Sequence, residues 1–534
     1  MNKFIIVLFF ILFHFLDSFA QIQQVWMQRY NSYNSTDDNA SDMFIDSSGN
    51  VYITGWSAGV TTLKYNRDGQ LVWHNLIDDL YLRPLKIALS KSGKIYVSCI
   101  IDGGWWVLIK YDSSGNFIWS KEFRNGIGSV NDPTAYLLDD DEYSYIAGTI
   151  WNSGYKKVGF VKYDSSGSLI WTKYYEYAYE GYLNSGASIV MDGYKNIYIG
   201  GYLNVRPVTI CNSLLIKYNP AGEQLWSKIY DTSVYISNQL VKLICDKQNN
   251  VIAGLFVTDS STQQFRVATI KYSSQGGLIW NKHFVGPANL DFIKDINSDI
   301  YSNIYVLIKS GSRTYGGYEY SNLKYDSSGN YVWERRYTGN DILNEDSPFC
   351  LYIDTLCNSY ITGSTVSIKY NSIGNLLWIV NNKTWTNEYS NLGNVIKLDR
   401  FNNILILGSG YSSLSNSDDI LTAKYSQSVG IINQNQIANK FKLFQNYPNP
   451  FNPTTKIKFD IPALGSPLGR GAGGMTVLKV YDILGKEIET LVNEKLNPGT
   501  YEVTFNASQY PSGVYFYTLI SGEYRETKKM LMIK

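Results

Sequence analysis

The chain has 534 residues, of which 17% are charged and 15% aromatic, and its formal net charge is +1. It is too aromatic and too weakly charged to be disordered, and it lacks the basic excess of a nucleic-acid binder. Five Cys and three His make neither a disulfide scaffold nor a His-rich metal site.

Met1-Asn2-Lys3 is a short positive stretch, followed by an apolar run from Phe4 to Leu16. Ser18 and Ala20 are small residues placed for cleavage after Ala20, so 1–20 read as a secretory signal peptide. The run is too short for a spanning helix, which needs about 20 apolar residues, and no later segment is long and apolar enough to be one. Cys99, Cys211, Cys245, Cys350 and Cys357 then remain. They are odd in number and are expected as buried thiols more than as bridges.

An internal repeat fills most of the chain. Lys-Tyr pairs begin at Lys64, Lys110, Lys162, Lys217, Lys271, Lys324, Lys369 and Lys424. Nine residues after each of the first seven stands a tryptophan: Trp73, Trp119, Trp171, Trp226, Trp280, Trp333 and Trp378. The pair-to-pair spacing varies from 45 to 55 while this offset stays fixed, so a rigid unit carries elastic loops. Each unit reads as four short strands rich in Val, Ile, Tyr and Thr. The third strand carries Lys-Tyr and the fourth carries Trp.

Turns such as Asp112-Ser113-Ser114-Gly115 join strands three and four, with Asp starting a type I turn and Gly supplying positive φ. Asp-x-x-x-Asn turns such as Asp246 to Asn250 join strands one and two. They read as turn chemistry and not as calcium loops, since no bidentate Glu stands at loop position 12. Adjacent apolar residues such as Leu71-Val72-Trp73 suggest strands buried on both faces.

Four-stranded units of about 50 residues make a β-propeller. The eight anchors predict eight blades over 21–429, with seven as the alternative. The last unit has no tryptophan after Tyr425, whereas Val25-Trp26-Met27-Gln28-Arg29-Tyr30 resembles a lone fourth strand. The N-terminal strand is therefore expected to complete blade eight and close the ring, removing open sheet edges.

Gly49-Asn50-Val51-Tyr52-Ile53-Thr54-Gly55 and Lys110-Tyr111-Asp112-Ser113-Ser114-Gly115-Asn116-Phe117-Ile118-Trp119 resemble the SBBP family, a seven-bladed propeller-related repeat of secreted bacterial proteins. The resemblance extends over about 25–428 and implies no particular activity.

Residues 430–440, rich in Asn and Gln, read as a linker, and 441–534 as a small Ig-like β-sandwich. Strand-like runs lie at 441–445, 455–461, 476–482, 486–492, 500–506, 513–520 and 524–533. The segment contains Asn446-Tyr447-Pro448-Asn449-Pro450-Phe451-Asn452-Pro453, then Val480-Tyr481-Asp482-Ile483-Leu484-Gly485, Pro498-Gly499-Thr500-Tyr501 and Ser512-Gly513-Val514-Tyr515. It ends Lys528-Lys529-Met530-Leu531-Met532-Ile533-Lys534. These motifs closely resemble the type IX secretion C-terminal sorting domain, type A. The resemblance implies export across the outer membrane of a Bacteroidota-type Gram-negative cell. It also implies contact with the secretion machinery, and removal by a sortase with surface attachment or release. Residues 463–475 lengthen a connection that is short in that family. Their Gly469 to Gly474 stretch fits G-x-G-x-x-G but leads into a strand, so it reads as a loop and not as a nucleotide site.

The connections after strand two vary in length and are the expected ligand face. They carry Trp56, Trp105, Trp106, Trp151, Tyr155, Tyr202, Tyr315, Tyr318, Tyr320 and Tyr411. The expected function is a binding module for an extracellular glycan or protein, with no cofactor, metal or nucleic acid. The alternative is a polysaccharide-acting enzyme using a carboxylate pair from Asp78, Asp79, Glu176, Glu180, Glu319, Asp341, Glu345, Asp346, Asp418 and Asp419.

Overall fold

A computed structural model of the chain describes residues 22–32, 37–102, 104–124, 132–152, 155–175, 185–205, 210–230, 235–311, 317–339, 346–382, 391–413, 416–427, 430–433, 440–462, 475–496, 499–508 and 510–533. The signal segment, residues 434–439 of the expected linker, residues 463–474 of the 463–475 insertion and Lys534 lie outside them. Two compact units divide the chain, 24–426 and 427–534. Both are all-β, with no α-helix among the described residues.

The first unit consists of antiparallel four-stranded sheets. In sheet 1, Asn39–Ile45, Val51–Trp56, Val60–Tyr65 and Leu71–Ile77 follow one another across the sheet. The same meander recurs in sheet 2 (82–123), sheet 3 (132–174), sheet 4 (185–230), sheet 5 (235–284), sheet 6 (291–337) and sheet 7 (348–381). Sheet 8 takes three strands from 391–427 and its fourth from Ile22–Tyr30. One parallel bridge, Cys211↔Ser237, joins sheets 4 and 5 into a single eight-stranded sheet.

The fixed nine-residue offset is a cross-strand pair. Lys64 lies opposite Trp73, Lys271 opposite Trp280 and Lys369 opposite Trp378, and a bulge follows each Lys. The type I turn sets this register, and the cross-strand pair is the stabilising unit. The Lys and Trp heads then reach the next sheet. Lys271 Nζ lies 2.8 Å from Asp246 of its own sheet and donates to Ser327 O of sheet 6. Trp280 Nε1 donates to the same oxygen at 3.2 Å. Lys217 and Trp226 share Ser274 O, and Lys324 and Trp333 share Ser372 O.

The last sheet meets the first in the same way. Lys424 of sheet 8 and Trp26 of the N-terminal strand both donate to Arg67 O of sheet 1, at 3.2 and 3.0 Å. Val395, Leu405, Leu407 and Ile420 pack with Met43, Val51, Ile53 and Leu63 in one core cluster. Sheet 8 has no turn between its third and fourth strands, because they come from opposite ends of the chain. Trp378 Nε1 of sheet 7 has no protein partner, and neither has Trp73 Nε1 of sheet 1. Burial lowers the Lys369 pKa to about 8, against the pull of Asp354.

In the Asp-x-x-x-Asn turns, Asp246 Oδ1 accepts from the amides of Gln248 and Asn250, and its Oδ2 accepts from the Asn250 side chain. Sheet 2 has Ser90 at this position. There Glu142, from the adjoining turn of sheet 3, bonds Ser92 and Tyr96 and lies 3.4 Å from Lys110. The missing charge is supplied by the neighbour.

The expectation of strands buried on both faces needs correction. Leu71 and Val72 are 47% and 53% exposed, and Leu278 is 60% exposed. The fourth strand is the outer edge of its sheet, so its tryptophan reaches the next sheet while the apolar pair before it faces solvent. The first strands each carry a bulge at the same place, as at Ala40/Asp42, Pro84/Lys86 and Pro348/Cys350. Pro84 and Pro348 stand at these bulges, on strands at the edges of their sheets, where proline is tolerated. The five cysteines are free thiols, and burial raises the pKa of Cys211 to about 11 and of Cys245 to about 12.

The second unit has two four-stranded sheets. One holds Gly430–Asn433, Lys442–Leu443, Thr454–Ile461 and Gly499–Asn506. The other holds Met475–Tyr481, Glu487–Lys495, Gly513–Ser521 and Tyr524–Met532. Phe459, Leu478, Val480, Phe505, Tyr517 and Met530 fill the shared core. The stretch read as linker thus begins with a strand, in which Ile431 pairs with Tyr501.

Candidate functional site

Eight of the ten candidate aromatics have described side chains, and all eight lie in strands, not loops. Hairpins between strands two and three extend outward as regular ladders, for example Trp151↔Lys156 and Tyr202↔Ser213. Alternation along such a ladder sends successive side chains to opposite faces, which separates Trp105 from Trp106. Trp106 is fully buried against Phe123. Tyr320 is also buried, its hydroxyl meeting Thr365. These two are core residues and leave the ligand face. Trp56, Trp105, Tyr202, Tyr318 and Tyr411 are half-buried, and Trp151 is exposed. The Arg124 guanidinium stacks 3.7 Å over Trp105. Tyr411 donates to Asn416. Tyr315 and the Tyr155 side chain lie outside the described residues.

Tyr318 is the candidate that the structure gathers into a cluster. Phe256 and Phe265 of sheet 5 meet Phe292 of sheet 6, with ring centroids 5.3 and 5.4 Å apart and the Phe256–Phe292 pair stacked. Tyr318 meets Phe292 edge-on at 6.0 Å, and Lys309 Nζ sits 3.9 Å over the Tyr318 ring. All five are half-buried. Burial first, and then the neighbouring Lys309 charge, hold the Lys294 ammonium below its ordinary pKa. The site is therefore an aromatic cluster with two cations beside it. Counting only Trp and Tyr missed its three phenylalanines, although Phe256 and Phe265 bracket one of the variable connections.

The candidate carboxylates are dispersed. Glu319 pairs with Arg336, and Asp419 with Arg29 at 2.7 Å. Asp346 accepts from Thr365 and the Gly339 amide. The Asp418 amide donates to the Asp37 carboxylate and its carbonyl accepts from the Asp38 amide, and Asp78 is exposed. Glu176, Glu180, Asp341 and Glu345 lie outside the described residues. Asp79 shares a cavity of about 130 Å³ with Glu122, a residue absent from the sequence-based set. Glu122 is ion-paired to Arg124.

In the second unit, Asn446 is buried and donates to Pro448 O and Thr455, while its amide bonds the Tyr517 hydroxyl. Phe451 enters the core, and its backbone exchanges hydrogen bonds with Leu531 and Ile533. Asn449 Oδ1 accepts from the Leu531 amide, and Pro453 O from Ala507. Pro448 and Pro450 follow cis peptide bonds. Much of the Asn446–Pro453 motif therefore fastens the terminal strand, while Tyr447 stays 80% exposed and Asn452 is exposed. Gly485 turns a hairpin at φ 80°, Gly499 and Gly513 begin strands, and Lys528 pairs with Glu526.

Residues 445–534 match the secretion system C-terminal sorting domain. Residues 25–60 match the β-propeller repeat family, a narrower span than the repeat resemblance of about 25–428. The sorting domain makes this a secreted or outer-membrane surface protein of a Bacteroidota-type Gram-negative cell, in contact with the secretion machinery. Among solved structures, the chain is similar to PorZ, a surface component of the type IX secretion system of Porphyromonas gingivalis. The identity is 12%, over 97% of this chain and 75% of that one, with a TM-score of 0.41. It is also similar to a Xanthomonas campestris gluconolactonase, at 10% identity over 55% of this chain and 95% of that one, with a TM-score of 0.28. At these scores the likenesses carry no functional argument. No curated protein sequence matches.

Proposed function

We propose that the first unit is an eight-bladed propeller closed by the N-terminal strand, and that it binds an extracellular glycan. The sorting domain delivers it to the surface and is then cut off by a sortase. The shared acceptor Arg67 O, which joins sheets 8 and 1 as Ser327 O joins sheets 5 and 6, supports closure. The observation that carries the binding reading is the Phe256–Phe265–Phe292–Tyr318 cluster with Lys309 over its edge. Sugar rings stack on aromatic faces, and the neighbouring ammonium groups favour acidic sugars. A glycan array with the full chain tests this. Retention of uronate or sulfated glycans, lost in Tyr318→Ala and weakened in Lys309→Ala, supports the reading. Binding that ignores both substitutions contradicts it.

The shared cavity of Asp79 and Glu122 is the one observation favouring catalysis. At about 130 Å³ it is below the roughly 300 Å³ of ordinary ligand pockets, and Arg124 holds Glu122. Binding without turnover is therefore the preferred reading. Release of reducing ends from a polysaccharide, abolished in Glu122→Gln, would reverse that preference.

A further inference from the structure

Ile483 and Leu484 are 70% and 90% exposed, the two most exposed aliphatic side chains among the described residues. They occupy the middle of the turn joining Met475–Tyr481 to Glu487–Lys495. The turn itself does not require them. Gly485 N bonds Asp482 O at 3.0 Å, and Asp482 Oδ1 accepts from the amides of Leu484 and Lys486 at 2.9 Å. Asp112-Ser113-Ser114-Gly115 makes the same bonds with two serines in the middle. Asp164-Ser165-Ser166-Gly167 and Asp326-Ser327-Ser328-Gly329 do likewise. Of the other turns of this shape among the described residues, only Asp299-Ile300-Tyr301-Ser302 carries two large apolar side chains, and they are less exposed, at 44% and 67%. Nothing lies within 4 Å of the position a Gly485 Cβ would take, so the tip stands clear of the sandwich. Geometry, packing and stability leave the two aliphatic side chains unexplained.

We infer that Ile483-Leu484 is a docking tip, inserted into an apolar cleft of the outer-membrane export apparatus when the sorting domain is recognised. The domain's match to a secretion-system sorting family supplies the partner. A narrow, hydrogen-bonded turn presents two adjacent apolar side chains in fixed orientation, which suits a cleft better than a flat face. The flanking charges argue against a lipid surface. Asp482, Glu487 and Glu489 outnumber Lys479 and Lys486, whereas segments that settle on anionic membranes carry a basic collar.

The test uses the full chain expressed in a cell that possesses the secretion system. Ile483→Ser with Leu484→Ser rebuilds the Asp-Ser-Ser-Gly turn that the first unit already uses. The expected result is at least a tenfold fall in protein reaching the medium and cell surface, with accumulation in the periplasm and an unchanged thermal melt. Ile483→Leu with Leu484→Ile keeps the apolar surface and should export normally, which separates docking from folding. Wild-type export of the double serine variant overturns the inference. So does a variant that exports normally while losing self-association in sedimentation, or losing binding to phosphatidylglycerol vesicles, because the tip would then serve a second copy or a membrane.

Discussion

Replacing Gly115 with alanine isolates the contact that stacks one sheet on the next. Gly115 has φ 87°, and an added Cβ would stand 2.6 Å from the Trp73 ring of sheet 1. Gly93, in the other turn of sheet 2, has a similar φ of 81°, but its added Cβ would meet only Ser113 at 3.5 Å, an ordinary contact. Both substitutions force an L-residue into the left-handed region, at about 1–2 kcal/mol. Only Gly115→Ala must also displace a packed indole, an overpacking cost of about 1–3 kcal/mol. Gly93→Ala should therefore lower the unfolding free energy by about 1–2 kcal/mol, and Gly115→Ala by about 2–5 kcal/mol. The assay is urea unfolding of the purified chain, following the tryptophan fluorescence of the first unit. Trp73→Leu removes the obstacle, so in that background the extra cost of Gly115→Ala should vanish, a non-additivity that a double-mutant cycle detects. Equal costs for the two glycines, or full additivity with Trp73→Leu, would refute the reasoning that the Trp73 ring packs directly on the Gly115 turn.

Two further outcomes follow from the buried polar row. Lys271→Met leaves Asp246 buried with its turn bonds but without its cation. The loss should be about 3 kcal/mol, partly restored by adding Asp246→Asn, as read from unfolding midpoints. Burial opposes ionisation of Glu142, but hydrogen bonds from Ser92 and Tyr96 and the Lys110 charge outweigh it and lower its pKa from 4.5 to about 2. A carboxyl with a depressed folded pKa adds stability in full above its unfolded pKa and loses it as pH falls. Stability should therefore drop between about pH 4.5 and pH 2. Glu142→Gln should flatten that part of the melting-temperature profile.

The repeat was legible because it is written in residues whose chemistry is local. The turn residues Asp112 to Gly115 dictate a type I turn, the turn dictates register, and register pairs Lys110 with Trp119. The lone Trp26 strand was legible for the same reason, since it carries the tryptophan that sheet 8 lacks. What sequence could not show was direction. Leu71 and Val72 read as buried because they are apolar, yet an outer edge strand has no neighbour on that side. Trp105 and Trp106 are adjacent in sequence, and only the ladder shows that the second points into the core. The phenylalanine cluster lay hidden because its members come from four strands of two sheets. Their meeting depends on how sheet 5 packs on sheet 6, which no local pattern encodes. The compensation of Ser90 by Glu142 is likewise a contact between sheets.

Closure by the N-terminal strand is the central claim about the first unit, and one measurement tests it most directly. Removing residues 22–32 takes away Trp26 and Arg29, leaving Arg67 O without its indole donor and the buried Asp419 carboxylate without its cation. The unfolding free energy of the shortened chain should be compared with that of the full chain under the same conditions. A closed ring requires a loss of several kcal/mol, or failure to fold, since loss of the Arg29–Asp419 pair alone costs about 3–5 kcal/mol. An unfolding curve indistinguishable from that of the full chain would contradict closure.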